Sequence, residues 1–86
     1  MAASPSYDPV LSSKAAAFLV GHSKIRQRKL IRLLFQLANN PFQIGDYSEL
    51  DQSGLEVQFI LVRDLLIAFW ADHAVRELRI VDLEEV

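Results

Sequence analysis

The spacing of hydrophobic residues changes near Asn40. Before it, apolar residues recur every three to four positions, as on one side of a helix; after it they alternate or run together, as in strands. The change falls in LANNPFQIGDYSELDQSGLEV, residues 37–57, which is rich in turn-forming residues. The sequence therefore predicts a helical first half and a sheet in the second half.

The first predicted helix is DPVLSSKAAAFLVG, residues 8–21. Ser6 or Asp8 is a suitable N-cap, Pro9 suits the first turn, and Gly21 suits the position just past the end. Only MAASPS precedes this helix, so an N-terminal strand is expected to be short or absent.

The second predicted helix runs from a Ser23 cap to Asn40, where Pro41 pushes the preceding residue out of the helical region. Its apolar residues fall on one side of a helical wheel, and Ile31 and Phe35 widen that side. The central apolar positions are Leu30, Leu33, Leu34, Leu37 and Ala38.

The remaining chain predicts three or four strands, at residues 47–50, 55–62, 65–71 and 74–83. In LEVQFILV, Leu55, Val57, Phe59 and Leu61 point one way and Glu56 and Gln58 the other. LLIAFWA is apolar throughout, as in a central strand buried on both faces.

Charged pairs at Arg63-Asp64 and Asp72-His73 fall between these strands, so two hairpins are the simplest connections. We expect one α+β domain over residues 1–86, with two N-terminal helices packed on one face of a three- to four-stranded antiparallel sheet. Residues 1–7 are expected to be loose.

Charge is distributed unevenly along the chain, although the net charge is only −2. Residues 1–45 hold six Lys and Arg against one Asp, which gives +5; residues 46–86 hold three Arg against ten Asp and Glu, which gives −7. Such a chain can turn a basic face toward nucleic acid. The alternative is that the basic residues only solvate a helix surface, which the acidic overall balance favours.

The composition argues against a disulfide-linked, secreted or membrane-spanning protein. There is no cysteine, which excludes disulfides. The first residues lack the features of a signal peptide, and the longest apolar run, residues 65–71, is too short to span a bilayer. We therefore expect a cytoplasmic protein with no membrane association.

No residue spacing indicates a metal site or a bound cofactor, and we expect neither. His22 and His73 stand in no known ligand spacing, and the glycines form no phosphate-binding loop. His22 is expected to cap a helix. His73, in a hairpin, is either a general acid or base or a solvated turn residue.

Two sets of basic residues are candidates for contacting phosphates. The predicted RNA-binding set is Lys24, Arg28, Lys29 and Arg32 on the second helix. Near the strands, Arg63, Arg76 and Arg79 can each hold a phosphate. The alternative, which we favour, is that they pair across strands with Glu56, Asp64 or Glu77. Trp70 is expected in the core rather than as a base-stacking platform.

A helix hairpin ending in LANNPF, then GDY, an SG that opens a strand, and a final ELRIVDLEE together resemble the RelE/ParE superfamily of bacterial toxins. The resemblance extends from about Ser4 to Leu83. It implies a small α+β fold and a cognate antitoxin that wraps the toxin in a type II toxin–antitoxin pair. RelE-branch members cut mRNA in the ribosomal A site; ParE-branch members inhibit DNA gyrase.

The sequence departs from the ribonuclease branch at its catalytic positions. Leu65 stands where an arginine would help, and Glu84 and Glu85 stand where those members carry a C-terminal aromatic residue or histidine. The remaining catalytic candidates are Arg63, His73, Arg76 and Arg79.

The resemblance and these departures predict a toxin-like growth inhibitor that binds a host target, with gyrase among the candidates. The alternatives are a ribosome-dependent mRNA endoribonuclease, or a non-toxic homologue that keeps the fold as an interaction protein. An antitoxin segment or a second copy of the chain is expected to cover an open sheet edge.

Overall fold

Two helices lie on one face of a five-stranded sheet in the structure, a computed structural model that describes residues 6–86. The elements follow the chain in the order strand, two helices, four strands. They are β1 (Asp8–Leu11), α1 (Ser13–Val20), α2 (Lys24–Ala38), β2 (Tyr47–Leu50), β3 (Glu56–Val62), β4 (Leu65–Asp72) and β5 (Glu77–Glu85).

The sheet is mixed, and its strand order is β1-β5-β4-β3-β2. β1 pairs parallel to β5, and the other neighbours are antiparallel. The α+β class is as predicted. The prediction of three or four strands, all antiparallel, is wrong because β1 adds a fifth strand and pairs parallel to β5. Pro9 is tolerated there because β1 is an edge strand with a single neighbour.

The first helix begins later than predicted because its first four predicted residues form β1. Its N-cap is Ser12, not Ser6 or Asp8: the Ser12 hydroxyl accepts a hydrogen bond from the Ala15 amide and donates one to the Val81 carbonyl, at 2.6 Å. A single serine thus ends β1, starts α1 and ties both to β5.

Tyr7 is held firmly, so the prediction of loose residues 1–7 is wrong there; residues 1–5 lie outside the described range. The Tyr7 ring is buried, its amide donates to the Ala38 carbonyl, and its hydroxyl lies 2.8 Å from Nδ1 of His73. Phe42 stacks on the His73 ring with centroids 5.0 Å apart. These contacts join the start of the chain to the β4–β5 hairpin.

The second helix has the predicted cap and core positions. The Ser23 hydroxyl accepts from the Arg26 amide. Ile31 and Phe35, predicted to widen the packed side, are instead 40% and 52% exposed. The residues that pack against the sheet are Leu30, Leu33, Leu34, Leu37 and Ala38.

Alternation along β3 is as predicted, but the more hydrophobic set faces away from the helices. Ile60 and Val62 pair with the buried Ile67 and Leu65 of β4 and pack on the core. Val57, Phe59 and Leu61 lie on the opposite face, because side chains alternate along a strand. Leu61 is 50% exposed there.

β4 is the central strand, as its unbroken apolar run predicts. Leu65, Ile67 and Phe69 face the helices and Ala68 faces the other way, and all four are buried. Both hairpins form at the predicted joints, the first with Arg63 and Asp64 as its two-residue turn.

No helix among residues 6–86 combines the length and apolar character needed to cross a bilayer.

The segment between α2 and β2 is fixed by hydrogen bonds to β3. The Gly45 amide donates to the side-chain oxygen of Gln58, and the Asp46 amide donates to the Phe59 carbonyl. The Asp46 carboxylate accepts from the Leu61 amide. A side chain at position 45 would place its Cβ 2.5 Å from the Phe59 carbonyl oxygen, so this close approach requires glycine.

Candidate anion-binding groove

The helices leave part of β3 uncovered, and a groove of about 500 Å³ lies there. α1 contacts β5 and α2 contacts β1, which places the helical layer toward the β1 side of the sheet. The groove runs between α2 and the β3–β4 hairpin. We call it the cationic groove after its basic residues, Arg26, Lys29, Arg32 and Arg63.

Helical spacing brings three of these cations to one side of α2. Arg26, Lys29 and Arg32 follow one another at intervals of three residues, which keeps them on neighbouring turns of the same flank. The apolar lining comes from both walls: Leu30 and Leu33 on α2, and Val62 and Leu65 on the hairpin. The groove thus combines an apolar lining with positive charge.

Arg63 contributes the fourth cation from a strained turn. Its backbone has φ of 59°, in the left-handed region that favours glycine. A non-glycine residue there costs roughly 1–2 kcal/mol. Asp64, the one acidic residue of the lining, follows it, and its carbonyl accepts from the Val86 amide.

Most of the groove's positive charge is uncompensated within the described chain. Arg26 has an acidic neighbour, Glu85, with Nη2 and Oε1 separated by 3.9 Å, and its Nε is buried without a hydrogen-bond partner. Lys29, Arg32 and Arg63 form no ion pair with any residue in the range 6–86. An anion entering the groove would meet donors that are still available.

The predicted RNA-binding set divides in two. Lys29 and Arg32 line the groove, whereas Lys24 and Arg28 do not. At 100° per residue, Lys24 and Arg28 fall on the outward side of α2 with Ile31 and Phe35. Sequence reasoning missed Arg26, although its spacing of three residues from Lys29 would have identified it.

The four catalytic candidates are not brought together. Arg63 is in the β3–β4 turn, whereas His73 and Arg76 are in the β4–β5 turn at the other end of β4. Eight residues of strand, at about 3.3 Å each, separate the two turns by roughly 25 Å. One phosphate group cannot contact both turns.

Arg79 is occupied by the acidic neighbours that β-sheet pairing provides. Its Nη2 lies 2.7 Å from a Glu77 oxygen, and its Nε is 3.7 Å from Asp72. Arg79 thus pairs with acids, as expected, but its closer partner Glu77 lies on its own strand; only the Asp72 contact crosses to a neighbouring strand. Its guanidinium also sits 5.8 Å from the centroid of Trp70, which is only half-buried, on the face away from the helices.

His22 has the capping role that its position predicted. Its Nδ1 lies 2.8 Å from the Phe18 carbonyl near the end of α1, and its Nε2 lies 2.8 Å from Oε1 of Glu85. The hydrogen bond with the Glu85 carboxylate, followed by that with Phe18, raises the pKa of His22 above its ordinary value of 6.5.

The arrangement suits binding of an anion better than proton transfer. Among the described residues that line the cationic groove, none is a histidine or tyrosine. The side chains present can neutralise and hydrogen-bond a phosphate or carboxylate. Histidine, the side chain used most often in general acid–base catalysis near neutral pH, does not line this groove: both histidines lie outside it.

Comparisons with known proteins relate the chain to others through its fold alone. No protein-family model matches the sequence, and no curated protein matches it either. One chain of the RelBE2 toxin–antitoxin complex from Mycobacterium tuberculosis superposes with a TM-score of 0.74 at 12% identity, covering 94% of this chain and 92% of that one. The chain therefore has the RelE-type toxin fold.

Proposed function

We propose that this chain is the toxin-like component of a type II toxin–antitoxin system, and that it inhibits growth by binding a host target rather than by cutting RNA. The main supporting observation is the separation of the cationic groove from the only histidine in a hairpin, His73. The RelE-type fold supports the toxin-like class. The groove is the proposed target-binding site.

The target is an anionic surface of a macromolecule. Four cations and one acid give the groove lining a positive balance, which attracts phosphates or carboxylates and accelerates encounter. Gyrase and the ribosome are both candidate targets that could present such an anionic surface. The absence of a histidine or tyrosine from the described lining favours inhibition by occupancy.

The test has two parts. The gene is induced in a bacterial host, and viable cells are counted; purified protein is then incubated with ribosomes that carry mRNA, and cleavage is measured. The proposal predicts growth arrest without cleavage. Cleavage of the bound mRNA would contradict inhibition by binding, and the absence of arrest would contradict the toxin-like role and favour a non-toxic homologue.

A cognate antitoxin is the proposed partner. The neighbour's complex joins a toxin with an antitoxin, which supports a similar arrangement here. The outer edge of β2 is exposed along Tyr47–Leu50 and is available for such a partner or a second copy. Co-induction of the adjacent gene is expected to relieve arrest. A monodisperse chain that has no affinity for that gene's product would contradict the pairing.

A ribosome-dependent endoribonuclease is the second candidate, and one contact favours it. The Tyr7 hydroxyl and His73 Nδ1 lie 2.8 Å apart, and Arg76 belongs to the same hairpin as His73. These groups could transfer a proton and hold a phosphate. This candidate requires mRNA cleavage that is lost when His73 and Arg76 are replaced together by alanine, whether or not Arg63 is also replaced.

A further inference from the structure

The sheet face that turns away from the helices is an exposed and largely apolar surface, separate from the cationic groove. We call it the open face. Strand register places side chains of all four C-terminal strands on this open face. Much of it is apolar and accessible: Tyr47 is 48% exposed and Leu61 50%. The apolar members are Tyr47, Val57, Phe59, Leu61, Leu66, Ala68, Trp70 and Val81.

A depression of about 230 Å³ lies in this open face. Its apolar lining comes from Leu50 on β2, Val57 and Phe59 on β3, Ala68 on β4 and Val81 on β5. The volume exceeds the roughly 150 Å³ that accommodates a benzene ring. The Tyr47 ring stacks on Phe59 with centroids 4.8 Å apart, which fixes one wall. The depression can therefore receive an apolar side chain.

The rim of the depression is acidic. Glu49 and Asp51 stand on the β2 side and Asp82 on the β5 side, with Lys14 as the one cation. Lys14 is 3.2 Å from Asp82 and is therefore already compensated. Glu49 and Asp51 have no cationic partner within residues 6–86.

Acidic residues also dominate the rest of this face. Glu77 and Asp72 compensate Arg79 beside Trp70, so the exposed aromatic surface carries no free cation from that arginine. Such a surface repels nucleic acid. Pairing with the same face of a second copy would set acid against acid, which is unfavourable. Charge complementarity requires a basic occupant.

We propose that the open face docks a basic amphipathic segment of a partner protein, with one apolar side chain seated over Ala68 and cations against Glu49 and Asp51. The identification of that partner as the antitoxin rests on the proposed function. The docking itself does not, because it uses a surface on the opposite side of the sheet from the cationic groove.

The probe is a fluorescent helical peptide with leucines at positions i, i+3, i+4 and i+7 and lysines elsewhere. Its binding to the purified full chain is followed by anisotropy, and the contact site is mapped by amide chemical shifts. Expected shifts cluster at Val57, Phe59 and Ala68 and spare Leu30 and Leu33 in the groove. Shifts at the groove, or equal shifts from a matched peptide with glutamate for lysine, would overturn the proposal.

The matched variants carry the same charge change on opposite sides. Glu49→Lys combined with Val81→Lys is expected to weaken peptide binding by about tenfold, whereas Asp64→Lys combined with Gln36→Lys, both in the groove, leaves it within about twofold. Unchanged binding in the open-face variant contradicts the proposal. If that variant fails to fold, the shift map of the unmodified chain still decides. Neither readout involves growth, so the docking proposal and the toxin-like role fail independently.

Discussion

Two arginines hold left-handed backbone conformations, one in each turn that borders β4. Arg63 has φ of 59° and Arg76 has φ of 54°. An L-residue with a side chain is strained in this region, and glycine is not. Arg63 alone of the two lines the cationic groove. The two turns therefore separate the effect of backbone strain from the effect of charge in the groove.

Arg63→Gly is expected to raise stability while it weakens anion binding. Removing the strain should increase the free energy of unfolding by roughly 1 kcal/mol. The polyanion probe is a 12-nucleotide single-stranded RNA. The loss of one cation should reduce the slope of log affinity against log salt concentration by about 0.7. Urea unfolding and anisotropy at several salt concentrations measure the two effects.

Arg76→Gly is the matched control for that prediction. It removes the same charge and similar strain from the opposite hairpin, so stability should rise comparably. The RNA salt dependence should stay unchanged, because Arg76 does not line the cationic groove. An equal loss of binding in both variants would mean that net charge, and not the groove, attracts the polyanion.

At the residue scale, the sequence identifies candidate binding residues better than it predicts which of them lie together in the folded chain. Charged residues at the turns and on the second helix were evident from the sequence alone. Whether Arg63 would meet Lys29 and Arg32 depended on where α2 lies across the sheet. That position is set by tertiary packing, which the local sequence around Arg63 does not specify.

At the scale of the elements, His22 links the end of α1 to the end of β5 through two hydrogen bonds. The Phe18 carbonyl and the Glu85 carboxylate are both acceptors, so only the protonated ring can donate to both of them at once. This is why the pKa of His22 is raised; Arg26, near Glu85, opposes the effect more weakly.

His22→Gln should destabilise the protein in a pH-dependent way. Because the folded pKa is raised, the contribution of protonated His22 is complete below its ordinary pKa of 6.5 and is lost as pH rises through the folded value. Urea midpoints of the two proteins should therefore converge as pH increases. Glu85→Gln should remove most of this pH dependence; its persistence in that variant would assign the effect to another group.

The packed side of α2 is defined by the contrast between Leu34 and Ile31. Leu34 is 2% exposed within the core, whereas Ile31 is 40% exposed on the outward side. Leu34→Ala should lower the free energy of unfolding by about 2–5 kcal/mol through the cavity it leaves. Ile31→Ala should change it by about 0.5 kcal/mol or less. Comparable losses in chemical denaturation would contradict this orientation of α2.

Element types could be predicted for the long elements and for the short strand β2, but not for β1. The fifteen residues of α2 and the apolar run of β4 carry strong patterns. β1 has only four residues and includes Pro9, so local propensity gave a helix start instead. Its pairing with β5 joins residues more than sixty positions apart, which no local pattern encodes.

Across the whole molecule, opposite charges occupy separate surfaces. The cationic groove lies on the helical side of the sheet, and the acidic rim of Glu49 and Asp51 lies on the open face. The uneven charge along the sequence allowed this separation, although the overall acidic balance favoured the alternative that the basic residues only solvate a helix. It could not locate the groove, which exists because two short helices cover only part of five strands. Each surface therefore suits a partner of opposite charge.

The central claim is that the cationic groove carries the growth-inhibiting activity. It is tested most directly by counting viable cells after induction of three proteins: the unmodified chain, Lys29→Gln combined with Arg32→Gln, and Lys24→Gln combined with Arg28→Gln. Both double variants remove two charges from α2, but only the first pair lines the groove. Equal expression and helical content are verified by immunoblot and circular dichroism.

The account predicts arrest by the unmodified chain and by the Lys24/Arg28 variant, and growth with the Lys29/Arg32 variant. Arrest by all three proteins would contradict the assignment of activity to the groove. Growth with all three would contradict the toxin-like function itself.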